Sequence, residues 1–197
     1  MGKKYDIIYA DPPWSYERAS KKSLQLQDYC QMSLEEMKRM NVASLVNKDS
    51  LMFMWSSGPV MKDSIELMES WGFEYRTVAF VWNKQRNTFG QYTLPFCEYI
   101  LVGKRGNIPK PRSAKNIPQY LSIAKTEHSK KPDIFRKLIT KMFPVQNKLE
   151  MFCRGSADGW DVFGNEAEDS IGVPIRSRLE MRRLEQERIK GMLCRIR

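Results

Sequence analysis

Apolar residues recur along the chain at two spacings. Tyr5–Ala10 (YDIIYA), Leu51–Trp55 (LMFMW), Thr77–Trp82, Glu98–Val102, Lys148–Cys153 and Trp160–Phe163 are compact apolar runs of strand length. Between them the spacing becomes helical. Ser33 stands three residues before Glu36, the spacing of a capping box, which predicts a helix running toward Leu45. Pro59 suits the first turn of a second helix, whose apolar positions are Ile65, Met68 and Trp71 and which Gly72 stops. Pro132 opens a third, with Ile134, Leu138, Ile139 and Met142 on one face. Pro12 and Pro13 terminate the first strand, and Gly103–Gln119, with Pro109, Pro111 and Pro118, reads as a long loop. Strands alternating with helices predict an α/β fold, a mostly parallel sheet with helices on both faces. Ligands of such sheets bind beyond the carboxyl ends of the strands, which places Asp11, Ser56 and Cys153-Arg154 at one rim.

Composition narrows the picture. With 197 residues, 42% of them hydrophobic, the chain can bury a sizeable core, which excludes wholesale disorder. We expect one folded domain over residues 1–173, followed by a basic helix or tail over 174–197. No apolar run approaches the roughly 18 residues that cross a bilayer, so no membrane partner is expected. Met1–Tyr5 carries two lysines and no apolar stretch, unlike a secretory signal, so a cytoplasmic location is expected. Cys30, Cys97, Cys153 and Cys194 lack CxxC spacing and read as free thiols of a reducing compartment. With His128 as the single histidine, no metal site is expected.

Charge supplies the first functional hint. The formal net charge is +10. Between Glu98 and Glu127 there is no acid, while Lys104, Arg105, Lys110, Arg112, Lys115 and Lys125 fall there. The tail from Ile175 to Arg197 holds seven arginines and Lys190 against three glutamates. Clustered positive charge suits a polyphosphate partner, or simply a solvated basic surface.

The sharpest local feature is Asp11-Pro12-Pro13-Trp14, directly after the first strand. A base amine such as adenine N6 is a poor nucleophile because its lone pair is delocalised into the ring. A carboxylate and a backbone carbonyl, each accepting one N–H bond, hold such a nitrogen toward tetrahedral geometry. Two prolines supply a rigid turn, and the neighbouring aromatic can stack on a base taken out of its helix. Competing chemistries lack their signatures. No serine sits in GxSxG to make His128 part of a hydrolase, and neither GxxxxGK[ST] nor GxGxxG occurs.

These residues and an ordered set of others resemble the DPPW-type N6-adenine methyltransferases, the family that includes the catalytic subunit of the messenger-RNA adenosine methyltransferase and bacterial and phage DNA enzymes. Tyr29 with Met32-Ser33 and Glu36-Met37 resembles the family's Tyr-x-x-Met-Ser segment, and Leu51–Gly58 its next strand and turn. Trp71-Gly72-Phe73-Glu74, Trp82-Asn83-Lys84, and Glu98–Gly103 with Gly106-Asn107 follow. Lys131-Pro132-Asp133, Leu149–Phe152 with Arg154, and Gly164-Asn165 complete the series in the family's order. The resemblance covers Tyr5 to Glu166. The turn from Arg154 to Trp160 is shorter than the family's, and Glu166 stands where Gln is frequent.

The resemblance implies a Rossmann-like class I methyltransferase sandwich, an open, mostly parallel sheet whose last-paired strand is antiparallel. It implies transfer of a methyl group from S-adenosyl-L-methionine to adenine N6, in DNA in preference to RNA, within a bacterial or phage-infected cytosol. Asp11, Pro12, Pro13 and Trp14 would form the catalytic segment. Lys131 would meet the cofactor carboxylate, Arg154, Asn165 and Glu166 the ribose, and Asp11 the methionine end. Which residues hold the cofactor adenine is left unassigned. Trp14 or Tyr29 would pack on the target base, with Glu98, Lys104, Arg105, Lys110 and Arg112 as further substrate contacts. An RNA adenosine enzyme, a silent nucleic-acid-binding subunit, a protein partner and a homo-oligomer stay open at this point.

Overall fold

The computed structural model describes residues 2–15, 31–86, 90, 92–125, 131–153, 155 and 157–164. Seven strands form one sheet: β1 (Tyr5–Ala10), β2 (Val46–Ser56), β3 (Glu74–Asn83), β4 (Cys97–Arg105), β5 (Tyr120–Ser122), β6 (Lys148–Met151) and β7 (Asp161–Phe163). Three α-helices are present among the described residues: α1 (Leu34–Lys38), α2 (Met61–Ser70) and α3 (Ile134–Met142). The strand order is β5-β3-β4-β2-β1-β6-β7.

β1 lies inside the sheet and pairs in parallel with β2 on one side and β6 on the other. That position explains its near-continuous apolar run, because both faces are covered. Ile8 and Ala10 enter one apolar layer with Met37 of α1 and Leu67 and Met68 of α2. Ile7 and Tyr9 enter the opposite layer with Phe135 and Ile139 of α3. Helices therefore cover both faces, as the sequence pattern predicts.

The sheet is mixed. β4 runs antiparallel to both its neighbours, β2 and β3, whereas the other pairings are parallel. The cause is local: among the described residues no helix lies between β3 and β4, and the chain reverses instead of crossing over. The reversed strand sits inside the sheet, between β3 and β2.

Several boundaries depart from the sequence reading. The capping box forms, with Ser33 Oγ accepting the Glu36 amide at 3.4 Å and Glu36 Oε2 accepting the Ser33 amide at 2.9 Å. The helix it starts ends at Lys38; the backbone breaks at Asn41, and Val42–Leu45 forms a separate 3-10 turn. In α3 the buried residues are Phe135, Ile139 and Met142, while Ile134, expected on that face, is 37% exposed. β4 extends to Arg105, and β5 lies beyond the loop of 106–119. Gly72 has φ of +85°, a left-handed conformation that ends α2 as expected.

Candidate active site

The carboxyl ends of β1, β2, β3 and β6 form one rim, and the reversal of β4 brings that strand's amino end, Cys97-Glu98, to the same rim. Asp11 follows β1 directly, and its amide donates to the Met151 carbonyl at 3.3 Å, tying the motif to the end of β6. The prolines turn the chain sharply. The Trp14 amide donates to the Pro12 carbonyl at 3.0 Å, and the Met32 amide to the Pro13 carbonyl at 2.8 Å. Both proline carbonyls thus already accept one bond, leaving each a second lone pair. Trp14 is 8% exposed and packs in the apolar layer beside α1 and α2, so its ring is not presented as an open platform.

The Asp11 carboxylate meets a partly buried series of charges. Asp11 Oδ1 is 3.1 Å from Lys131 Nζ, and Glu98 Oε2 is 3.4 Å from the same ammonium. Glu98 Oε1 accepts from Lys84 Nζ at 3.2 Å. The signs alternate: Asp11, Lys131, Glu98, Lys84. Lys131 also lies 5.1 Å from the centroid of the Trp55 ring. A cation over an indole face is stabilised by about 0.5–2 kcal/mol, depending on desolvation. Trp55 is itself fixed, its indole N–H donating to the Tyr9 hydroxyl at 2.6 Å and its ring meeting Phe135 edge-on at 5.2 Å.

The electrostatics follow from this arrangement. Burial works against the Lys131 charge, but Asp11 and Glu98 overcome it and hold the ammonium protonated beyond the ordinary lysine range. Burial likewise opposes the Glu98 charge, and Lys131 and Lys84 outweigh it, so Glu98 stays ionised below its usual range. Lys125, whose amide donates to the Lys84 carbonyl at 3.2 Å, is shifted down by burial, with Lys84, Lys131 and Arg86 adding to the shift against the pull of Glu98. Behind β1, burial raises the Glu150 carboxyl although Arg136 Nη1 contacts it at 2.6 Å. Arg136 also holds Asp133 at 2.7 Å, which anchors the start of α3 to β6.

The turn after β6 is strained. Phe152 has φ of +63°, which costs a side-chain-bearing residue roughly 1–2 kcal/mol. Its ring stacks on Trp71 and meets Phe163 edge-on, and its amide donates to the Phe163 carbonyl. Next to it Gly164 passes so close to the strand end that an added Cβ would lie 2.0 Å from the Cys153 carbonyl oxygen. Cys153 and Gly164, the sequence neighbours of Arg154 and Asn165, therefore touch backbone to backbone. The Cys153 thiol is pushed up to about 11, first by burial and then by Glu150, so it is not a reactive nucleophile.

The structure thus brings together Asp11, Pro12, Pro13, Glu98 and Lys131, with Trp14 buried beside them. It does not bring Lys104, Arg105, Lys110 or Arg112 to this rim. Lys104 and Arg105 end β4, opposite Leu51 and Ser50, about 20 Å along the strand from Glu98 at ~3.3 Å per residue. Lys110 and Arg112 follow from that far end and are exposed. Tyr29, Arg154, Asn165 and Glu166, like His128, Cys30 and the tail with Cys194, lie outside the described residues. Sequence reasoning passed over two members of the site. Lys84 is quoted above only as part of a motif, although a lysine directly after a strand ending in a tryptophan and an asparagine was a signal. Trp55 reads from sequence as core alone; it is core, 2% exposed, and its ring also underlies Lys131. Among the described residues no group of His, Cys, Asp and Glu is arranged to hold a metal ion, and no helix is long and apolar enough to cross a membrane.

The Asp11 carboxylate thus stands on a proline-stiffened turn at the end of a central strand, paired with a half-buried lysine at the carboxyl rim of an α/β sheet. Residues 5–166 match the MT-A70 family, and the chain belongs to that family. It is 41% identical over 197 residues to the type II methyltransferase M.MunI of Mycoplasma sp., covering 90% of this chain and 84% of that protein. It is 31% identical to the N(6)-adenosine-methyltransferase MT-A70-like protein of Arabidopsis thaliana over 82% of this chain and 24% of that protein. It is 26% identical to the human N(6)-adenosine-methyltransferase catalytic subunit METTL3, over 83% of this chain and 28% of that protein. The chain spans about a quarter of the length of these two eukaryotic relatives.

Proposed function

We propose that this protein transfers a methyl group from S-adenosyl-L-methionine to the N6 amine of adenine in DNA. The observation that carries the reading is the Asp11–Lys131 pair, set on the DPPW turn at the end of β1 in a chain so similar to a type II methyltransferase. The net charge of +10 suits a nucleic acid. The N(6)-adenosine names of the eukaryotic relatives support N6 as the acceptor and keep RNA as the second reading.

The donor set fits the cofactor's amino-acid end, which carries a carboxylate and an ammonium. Lys131 offers charged N–H groups to the first, and Asp11 and Glu98 offer acceptors to the second. Arg154, Asn165 and Glu166 remain our candidates for the ribose, supported by the backbone contact of Cys153 with Gly164. When bound, S-adenosyl-L-methionine supplies the electrophilic methyl group. The chain's own residues bind and orient. Asp11 accepts one amine N–H, and the second lone pair of the Pro12 carbonyl accepts the other, which turns the nitrogen lone pair toward the incoming methyl. With the cofactor's sulfur as the leaving atom, Asp11 and Pro12 would hold the amine while one of its protons passes to solvent. Positioning of this kind can lower a barrier by several kcal/mol without any metal. Trp14 supports the turn from behind, and Tyr29 remains the candidate to pack on the base. Residues 1–173 would form the catalytic domain, a Rossmann-like class I sandwich, a reading supported by the reversed β4 within the otherwise parallel sheet. Residues 174–197 would add a basic arm.

Incubation of DNA and RNA oligonucleotides with labelled cofactor, followed by nucleoside analysis, tests the reading. N6-methyladenine from DNA is expected. Label in RNA alone would replace DNA by RNA, and label in neither would refute the assignment.

A further inference from the structure

We propose that Lys84 is a positioning residue of this site, acting through Glu98 and Lys131 on Asp11. The inference rests on the methyltransferase reading above. Lys84 follows the end of β3 and is 6% exposed, a place where an ammonium is costly unless paired. Its backbone is fixed on both sides. Its amide donates to the Phe96 carbonyl at 2.9 Å, and its carbonyl accepts from the Lys125 amide at 3.2 Å. The side chain therefore delivers its charge to one point, Glu98 Oε1 at 3.2 Å. The other Glu98 oxygen is left to Lys131, and Lys131 is shared between Glu98 and Asp11. Each inner member of the series stands between two opposite charges, so neither can collapse onto one partner.

Without Lys84, both oxygens of Glu98 are free to turn to Lys131 and draw it from Asp11, and the Asp11 carboxylate loses the contact that sets its direction. Lys84 faces Glu98 from the end of β3 and Lys131 from ahead of α3. Lys125 faces it from behind β5, with Asp11 beyond Lys131 and Arg86 beyond Lys125. Removing the closest of these cations from a mostly buried carboxylate lets Glu98 take up a proton at higher pH.

The test compares Lys84→Met and Lys84→Arg with the parent chain. Two readouts are used: methylation of an adenine-containing DNA duplex over a pH series, and carbon-13 NMR titration of the Glu98 carboxyl in the ligand-free protein. For Lys84→Met we expect kcat to fall about 100-fold, the effect of a misplacement near 1 Å, with KM for DNA little changed. The acid limb of kcat and the Glu98 titration should both move upward, Lys84→Arg should restore most of the rate, and Glu98→Gln added to Lys84→Met should cost little more. A kcat per folded molecule within about threefold of the parent would overturn the proposal, as would an unmoved Glu98 titration. If Lys84→Met does not fold, Lys84→Gln takes its place with the same outcomes. A parent chain that methylates neither DNA nor RNA refutes the function proposed above, and the Glu98 titration then decides the charge series by itself.

Discussion

The two rims of the sheet use the same residue types in opposite ways. At the carboxyl rim, acids and lysines meet each other: Asp11, Lys131, Glu98 and Lys84 form one series with each charge within 3.4 Å of its partner. At the amino rim two exposed cations, Lys3 and Arg76, pair with Asp161 and Glu74, but the charged groups beneath β1 and β2 are occupied by backbone and amides. Asp6 accepts the Asn147 amide at 2.9 Å and the Asn47 side chain at 2.7 Å, and Asp49 accepts the Asn107 amide at 2.8 Å. The buried Lys148 ammonium donates to the carbonyls of Gln146, Phe143 and Pro144. The lysines left over there, Lys48, Lys110 and Lys115, are exposed. Charge pairing at one rim brings the side chains of Asp11, Lys131, Glu98 and Lys84 together. At the other rim Asp6, Asp49 and Lys148 are tied to backbone and amide groups. Density of positive charge along the chain does not distinguish the two.

The comparison breaks most visibly at Asp11. Asp11→Asn should lower methyl transfer by about 10²–10³-fold, the loss typical of removing one group aimed at the reacting centre. Its melting temperature should stay close to the parent's, because the side chain is 37% exposed. A transfer rate near the parent's would place the chemistry elsewhere.

Next comes Lys131. Lys131→Met should weaken S-adenosyl-L-methionine binding by roughly 10–100-fold, the equivalent of a charged hydrogen bond worth about 1.5–3 kcal/mol. Titration calorimetry measures it, and unchanged affinity would mean that the cofactor's carboxylate is held by another group.

A smaller effect concerns pH. Glu98 is depressed in the folded protein, so its stabilising contribution is present above the unfolded carboxyl value near ~4.3 and is lost as pH falls through the folded value. Lys131 is raised, so its contribution is complete below the ordinary lysine value and is lost only in strong alkali. Urea denaturation of the parent and Glu98→Gln should therefore show a stability gap that is flat through neutrality and narrows in acid. A gap that widens in acid would contradict the charge series.

The smallest expected effect lies at the other rim. Replacing Lys48, Lys110 and Lys115 by Gln should leave kcat and KM for DNA within about twofold. A salt dependence flattened by ~0.9 log units per lost phosphate contact would show instead that this rim touches DNA.

Much of the fold was legible where one residue's own pattern settles the matter. β1 runs from Tyr5 to Ala10 as read, the Ser33–Glu36 capping box forms, and Gly72 closes α2. What escaped depends on partners remote in sequence. The direction of β4 is set by the connection it follows and the neighbours it pairs with. Its reversal decides that Glu98 enters the site while Lys104 and Arg105 leave it, though all three share one strand. The motif and its order marked Asp11 and Lys131. The Lys84–Glu98 pair is a product of the β3–β4 register, in which Trp82 stands opposite Glu98. On α3, Phe135 displaces Ile134 from the core because the larger ring fills the space between Trp55 and Phe80.

The strand order has a consequence for assembly from pieces. β1 lies inside the sheet, with β2 to β5 on one side and β6 and β7 on the other. Everything up to Lys125 can thus form a five-stranded half whose exposed seam is the free edge of β1. Among the described residues the remainder carries α3, β6, β7 and the ammonium that completes the charge series. A chain divided between Lys125 and Lys131 would hold Asp11, Glu98 and Lys84 on one fragment and Lys131 on the other. Methyl transfer would then report the reunion of the fragments along β1, making the enzyme a natural candidate for a split reporter whose signal is written into DNA.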